Sequence, residues 1–174
     1  MKNKIVIIIL GNRNAGKSST LYELFKRNVK SGYKNLTIDQ EKIEVFVKNT
    51  SFEETGQQIG DKIFIKNTSF EETGQNAEDF FEKKELPQII LCAVQYKEDG
   101  KNTINYFVNN GYYLYIQWLN PGYKDTSEYE DYLSFEEQFS QFGEFHKTSG
   151  KEKKKRAESI KEFLINQIHT SNSI

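Results

Sequence analysis

Gly11, Gly16, Lys17 and Ser18 stand at a spacing able to hold a row of phosphates. They belong to the stretch Gly11-Asn12-Arg13-Asn14-Ala15-Gly16-Lys17-Ser18, which reads G-x-x-x-x-G-K-[ST]. Glycines reach backbone angles that side chains forbid and let the main chain pass close to a phosphate. The amides of such a loop point inward as an anion nest. A helix beginning near Lys17 adds the positive end of its dipole. There the Lys17 ammonium meets β- and γ-phosphates, and the Ser18 hydroxyl completes the shell of a Mg²⁺ ion bridging them. Asn12, Arg13, Asn14 and Ala15 form the turn, and Ser19 closes the nucleotide-binding set.

Such a loop functions only between the right elements. Before it runs Ile5-Val6-Ile7-Ile8-Ile9-Leu10, a continuous apolar stretch that suits a buried parallel strand. After it, Leu21, Leu24, Phe25 and Val29 fall on one face at helical spacing. Strand, glycine loop and helix form the context that gives the pattern meaning.

Bulk composition narrows the alternatives. The chain has 174 residues, 36% hydrophobic and 28% charged, enough for one domain with a substantial core. Its net charge of −1 supplies no global field toward nucleic acid or anionic membrane. Cys92 lies in an apolar run and reads as a small buried hydrophobe; with His146 and His169 far apart, no zinc cluster is expected. The longest apolar run, Ile5 to Leu10, is far too short to span a membrane. These features read as a cytoplasmic protein, where nucleoside triphosphates are abundant and thiols stay reduced.

Further along, the first helix should stop near Gly32, with a turn or short extended piece over residues 35–39. Strand-like runs follow around residues 43–47 and 63–65. They open an internal repeat: residues 48–57 recur unchanged as residues 66–75. Two copies at this short period do not make a solenoid. A tolerated loop insertion accounts for them more simply than duplicated acidic loops brought to the phosphates. Residues 56–60 could turn the first copy back on the second as a hairpin. A short helix over 77–85, a buried strand over 88–95, a helix over 101–110 and a strand over 112–119 complete an alternating pattern typical of a parallel α/β sheet. Residues 128–145 and 151–168 read as helices. Five of the residues 151–156 are basic, which usually marks a solvated helix face. The sharper reading is a mobile segment reaching over bound phosphates, with Arg156 making a bidentate contact.

At its glycine loop the chain resembles the P-loop NTPase superfamily. Residues 11–19 look most like the loops of bacterial GTPases of the translation-factor-like class, and similar loops occur in small ATP-binding, kinase-like proteins. The resemblance is specific over residues 5–29 and beyond that rests on the order of elements. It implies an α/β fold of three layers with a mainly parallel sheet and a helical C-terminus. Residues 1–174 would form a single nucleotide-binding domain, with the duplicated strand-loop unit at 45–58 and 63–76.

Departures from the family pattern are also informative. A GTPase would carry Asp-x-x-Gly after its third strand; this chain has residues 67–74, without the aspartate. A guanine reader Asn-Lys-x-Asp is not matched by Asn120-Pro121-Gly122-Tyr123-Lys124-Asp125, so guanine lacks support and adenine is weakly favoured. The strand at Ile89 ends in Ala93-Val94-Gln95 with no Walker B carboxylate, and only Arg13, Arg27 and Arg156 are available for a lid. Asp39 sits where some P-loop kinases place an acid and is a candidate base or indirect Mg²⁺ ligand; as a plain alternative it starts a turn. Glu53, Glu54, Glu71 and Glu72 are further acids with no geometry to rank them.

The expectation is therefore a Mg²⁺-dependent protein that binds ATP or GTP and hydrolyses it or transfers its γ-phosphoryl group. Lys17 and Asp39 are its catalytic candidates. The alternative is a non-catalytic, nucleotide-responsive module acting through a protein partner. Nucleic-acid processing is disfavoured by the near-neutral charge, and no membrane partner is expected.

Overall fold

The backbone of the strands alternates side chains between two faces of one sheet, and both faces are apolar. In β1 (Ile5–Gly11) every residue is buried. Val6, Ile8 and Leu10 enter one core while Ile5, Ile7 and Ile9 enter the other. The same period-2 division runs through β5 (Ile89–Gln95) and β6 (Tyr113–Leu119): Ile90, Cys92 and Val94 oppose Ile89 and Leu91, and Leu114, Ile116 and Trp118 oppose Tyr115 and Leu119. A sheet apolar on both sides must be covered on both sides.

A computed structural model describes residues 4–38, 43–47, 61–82 and 84–171. Among these described residues seven strands form one sheet in the order β3-β2-β4-β5-β1-β6-β7. Here β2 is Gly32–Ile38, β3 Ile43–Val47, β4 Asp61–Lys66 and β7 Gly143–Thr148. β1 pairs in parallel with β5 and β6, β4 with β5, and β6 with β7. Only β2 runs the other way, antiparallel to β3 and β4. The fold is α/β with a mostly parallel sheet.

Helices α1 (Lys17–Phe25) and α5 (Lys153–Ser171) cover one face through Leu21, Phe25, Ile160, Phe163 and Leu164. On the opposite face lie α2 (Ala77–Phe81), α3 (Glu98–Asn109) and α4 (Phe135–Phe139), through Ala77, Phe81, Ile104, Phe107, Phe135 and Phe139. Thus β1 and β5 are neighbours whose following helices leave to opposite faces. Such a divergence opens a crevice at the carboxyl ends of the strands. Cys92 is fully buried and its thiol pKa is pushed up by desolvation, in line with a buried hydrophobe. Among the described residues no helix is long and apolar enough to cross a membrane.

Four expectations need correction. α1 ends at Phe25, where Lys26 turns left-handed at φ 53°, and β2 occupies 32–38 as a full strand. Among the described residues, strands β2, β3 and β4 follow one another with no helix between them. The repeat strands β3 and β4 do not pair as a hairpin, because β2 lies between them; the proposed turn at 56–60 lies outside the described residues.

The fourth correction concerns residues 128–145, which are not one helix. Asp131 takes the Tyr96 hydroxyl and the Phe135 amide on Oδ1, and the Glu136 amide on Oδ2. This side chain starts the short α4 and ties the preceding chain to the end of β5. The chain then re-enters the sheet as β7. At Gly143 a Cβ would lie 1.9 Å from the Leu114 carbonyl oxygen, so only glycine lets this strand come alongside β6.

Candidate active site

The glycine loop lies between β1 and α1, at the crevice. Gly11 is packed so tightly that an added Cβ would stand 3.0 Å from Ala15 Cβ. Asn14 and Gly16 both have positive φ, 62° and 99°. The second sits where a Cβ would also come within 3.0 Å of the Gly150 carbonyl oxygen. Arg13, Asn14 and Ser18 are exposed, Asn12 and Ser19 half-buried, and Ala15 buried.

Lys17 begins α1 and folds back over the loop. Its Nζ donates to Gly11 O at 3.0 Å and to Asn12 O at 2.8 Å. Burial lowers the pKa of this ammonium, partly offset by the negative charges of Glu72 and Glu71. The Ser19 hydroxyl donates to Gly16 O at 2.7 Å, so it braces the loop from within.

Three other segments hold the loop in place. The Tyr96 amide donates to Gly11 O at 3.2 Å, fixing the loop's start to the end of β5. The Tyr123 amide donates to Ala15 O at 2.9 Å, and Gly150 donates to Pro121 O at 2.7 Å. Gly150 fits so closely that a Cβ would come within 2.3 Å of Ala15 O. The segment Asn120–Asp125 therefore reaches the loop although it lacks a base-reading motif. Asp125 is occupied in its own turn, where Oδ2 accepts from the Gly122 amide at 2.9 Å.

Arg156 is not a mobile arm. It is 1% exposed. Its Nε donates to Thr20 Oγ1 at 2.9 Å and its Nη1 to Ser149 O. Burial lowers its pKa to about 10. One basic residue of the charge run is turned inward because it occupies the same α5 face as Ile160 and Leu164. Bridging α1 to the loop after β7, it buttresses the glycine loop from below and does not reach over it.

Of the four repeat glutamates, the structure separates Glu71 from Glu72. Phe70 is fully buried among Phe80, Phe81 and Phe107 and anchors a 3-10 turn at Glu71–Thr73. Glu71 then accepts from Thr103 Oγ1 at 2.6 Å and from the Gln95 amide at 3.1 Å. Glu72 accepts from Gln95 Nε2 at 3.0 Å and lines the crevice. Glu53, Glu54 and Asp39 lie outside the described residues.

The crevice is a cavity of about 710 Å³, well within the size of small-molecule sites. Asn12, Arg13 and Asn14 line it from the loop, and Gln95, Tyr96 and Lys97 from the end of β5. Among the described residues Glu72 is its one carboxylate. Strand β5 does lack an acid, yet the turn after β4 brings one to its end. Gln95, Tyr96 and Lys97 were not singled out from the sequence; a strand flanking β1 was the available signal, but strand order is not a local property. Among the described residues no three His, Cys, Asp or Glu side chains converge as a metal site.

Searches against protein-family models, curated proteins and solved structures find no match to this chain.

Proposed function

We propose that this chain has a P-loop-like fold and binds a Mg²⁺-nucleoside triphosphate, ATP or GTP, on its glycine loop, hydrolysing it or transferring its γ-phosphoryl group. The observation that carries this reading is Lys17. A buried ammonium whose charge is disfavoured by its surroundings rests on two loop carbonyls, at a switch-point crevice. A phosphate chain entering the loop would complete the countercharge that Glu72 and Glu71 supply only in part.

The residues suit such a ligand. Gly11 and Gly16 leave no side chain between the backbone and the phosphates, and the α1 N-terminus is favourable to anions. The exposed Ser18 hydroxyl is the candidate Mg²⁺ ligand from the protein; the remaining ligands would come from phosphate and water. The bound ion would neutralise charge developing on the transferring group. Lys17 and the loop amides stabilise the phosphoryl oxygens. Glu72 orients the attacking hydroxyl or water and accepts its proton. Gln95 keeps that carboxylate at the cavity wall.

Phosphate release from Mg-ATP and Mg-GTP by the wild type and by Lys17→Ala tests the proposal. Turnover abolished in a folded Lys17→Ala protein supports it; full activity in that variant sinks it. One observation favours a second reading, the nucleotide-responsive module with a protein partner: β5 ends in Gln95 where an acid would promote faster chemistry. Tight binding with no turnover, together with a nucleotide-dependent change in protease sensitivity, would select it.

A further inference from the structure

We infer that the crevice beside the glycine loop accepts an anionic hydroxyl compound, a small molecule carrying a phosphate or carboxylate, as the phosphoryl acceptor, with Lys97 and Arg13 holding the anion and Glu72 facing the hydroxyl. This rests on the nucleotide-binding reading above and names the substrate class of the same site.

The charges of the cavity carry the inference. Among the described residues Arg13 and Lys97 are its cations and Glu72 its one anion; its other described lining groups are amides and a tyrosine. Another cavity, about 750 Å³ between the 3-10 turn and α3, is lined by Glu71, Glu78 and Asp99 and, among the described residues, by no cationic side chain. Of these two cavities, the crevice is the one that carries positive charge. The triphosphate already has the loop amides, Lys17 and the α1 N-terminus. Lys97 belongs to the opposite wall, where β5 meets α3, and its exposed partner Asp99, at 3.1 Å, is a weak tie that a bound anion can replace. Arg13 has no ion-pair partner among the described residues and offers a planar fork suited to phosphate or carboxylate.

In the transfer, the acceptor oxygen forms its bond to the γ-phosphorus as the bond from that phosphorus to the β–γ bridging oxygen breaks. The electron pair leaves with the nucleoside diphosphate, and the hydroxyl proton passes to the Glu72 carboxylate.

The test uses the full chain with Mg-ATP and matched pairs: AMP and adenosine, glucose 6-phosphate and glucose, glycerate and glycerol. Products are identified by ³¹P NMR, and each acceptor is titrated by calorimetry into protein loaded with a non-hydrolysable ATP analogue. An anionic member should bind about tenfold more tightly than its neutral partner, and Lys97→Gln should remove most of that preference. The pair that responds tells a nucleotide from a sugar phosphate or a carboxylate. Equal binding of neutral partners overturns the inference, as does a Lys97→Gln protein in which Mg-ATP itself is weakened by the same factor. Nucleotide hydrolysis with no panel member bound overturns the acceptor while leaving nucleotide binding intact. Failure of ATP and GTP to bind removes both.

Discussion

Gln95 Nε2 donates to Glu72 Oε1 at 3.0 Å, and the Gln95 amide donates to Glu71 Oε2 at 3.1 Å. One residue at the end of β5 therefore sorts two adjacent glutamates. Glu71 is drawn against α3 through Thr103, while Glu72 lines the crevice beside the glycine loop. Consecutive, chemically identical side chains thus carry different burdens.

Glu72→Gln should lower turnover by about 10²-fold, the usual contribution of a positioned proton acceptor. It should change unfolding free energy by only about 0.5 kcal/mol, as expected for an exposed position. Glu71→Ala should do the reverse, costing about 1–3 kcal/mol because two donors lose their acceptor. Steady-state phosphate release and urea unfolding measured on both variants would separate the roles. A stability loss confined to Glu72→Gln would contradict the assignment.

Arg156 should behave as a structural residue. Arg156→Ala empties a buried site and removes the donor to the Thr20 hydroxyl and to the Ser149 carbonyl; about 2–4 kcal/mol of stability should be lost. Arg156→Lys keeps the charge but lacks the planar fork, so it should restore less than half of the loss. Urea midpoints at constant m-value would show this. Wild-type stability in Arg156→Ala would mean that the buttress is idle.

Two glycines of positive or crowded geometry should differ sharply. At Gly150 a Cβ would meet Tyr123 N at 2.2 Å and Ala15 O at 2.3 Å, both backbone atoms that cannot yield cheaply. Gly150→Ala should cost about 1–3 kcal/mol and weaken triphosphate binding by displacing the loop. At Gly74 φ is 68° with nothing within 4 Å, so Gly74→Ala should cost only about 1 kcal/mol of backbone strain. Thermal unfolding and nucleotide titration of the pair would check the contrast.

Lys17 should report its ligand through protons. Burial lowers its pKa from 10.5 in the free protein. Bound phosphates favour the charged form, so they raise that pKa again. At alkaline pH nucleotide binding should take up protons, and affinity should fall as pH rises through the free-protein pKa. The same depression makes the unfolded chain the better proton binder between the lowered folded value and 10.5, so this residue's contribution to stability rises with pH across that window. Calorimetry in buffers of different ionisation enthalpy would measure the uptake; proton release would contradict it.

The features visible in the sequence were those set by short-range pattern. β1, β5 and β6 are buried on both faces, so their continuous apolar runs stand out. The glycine loop is legible from its spacing together with the apolar strand before it and the helical spacing after it. β7 was missed because it is polar, with Glu144, His146 and Lys147 in a strand paired only with β6. Residues 128–145 carry aromatic residues at helix-compatible spacing, yet Asp131 captures Tyr96 and redirects the chain. Arg156 was legible in retrospect: it precedes Ile160 and Leu164 at helical spacing on the apolar face. The choice of Glu72 was not legible, because it depends on β5 lying beside β1, a pairing between residues more than eighty positions apart.

The central claim is that Lys17 and its glycine loop hold a nucleoside triphosphate. Calorimetric titration of ATP and GTP, each with and without Mg²⁺, into wild type and Lys17→Ala tests it most directly. The account predicts Mg²⁺-dependent binding of at least one nucleotide by the wild type, weakened by about tenfold or more when the ammonium is removed. No binding of either nucleotide, or equal affinity in a folded Lys17→Ala protein, would contradict it.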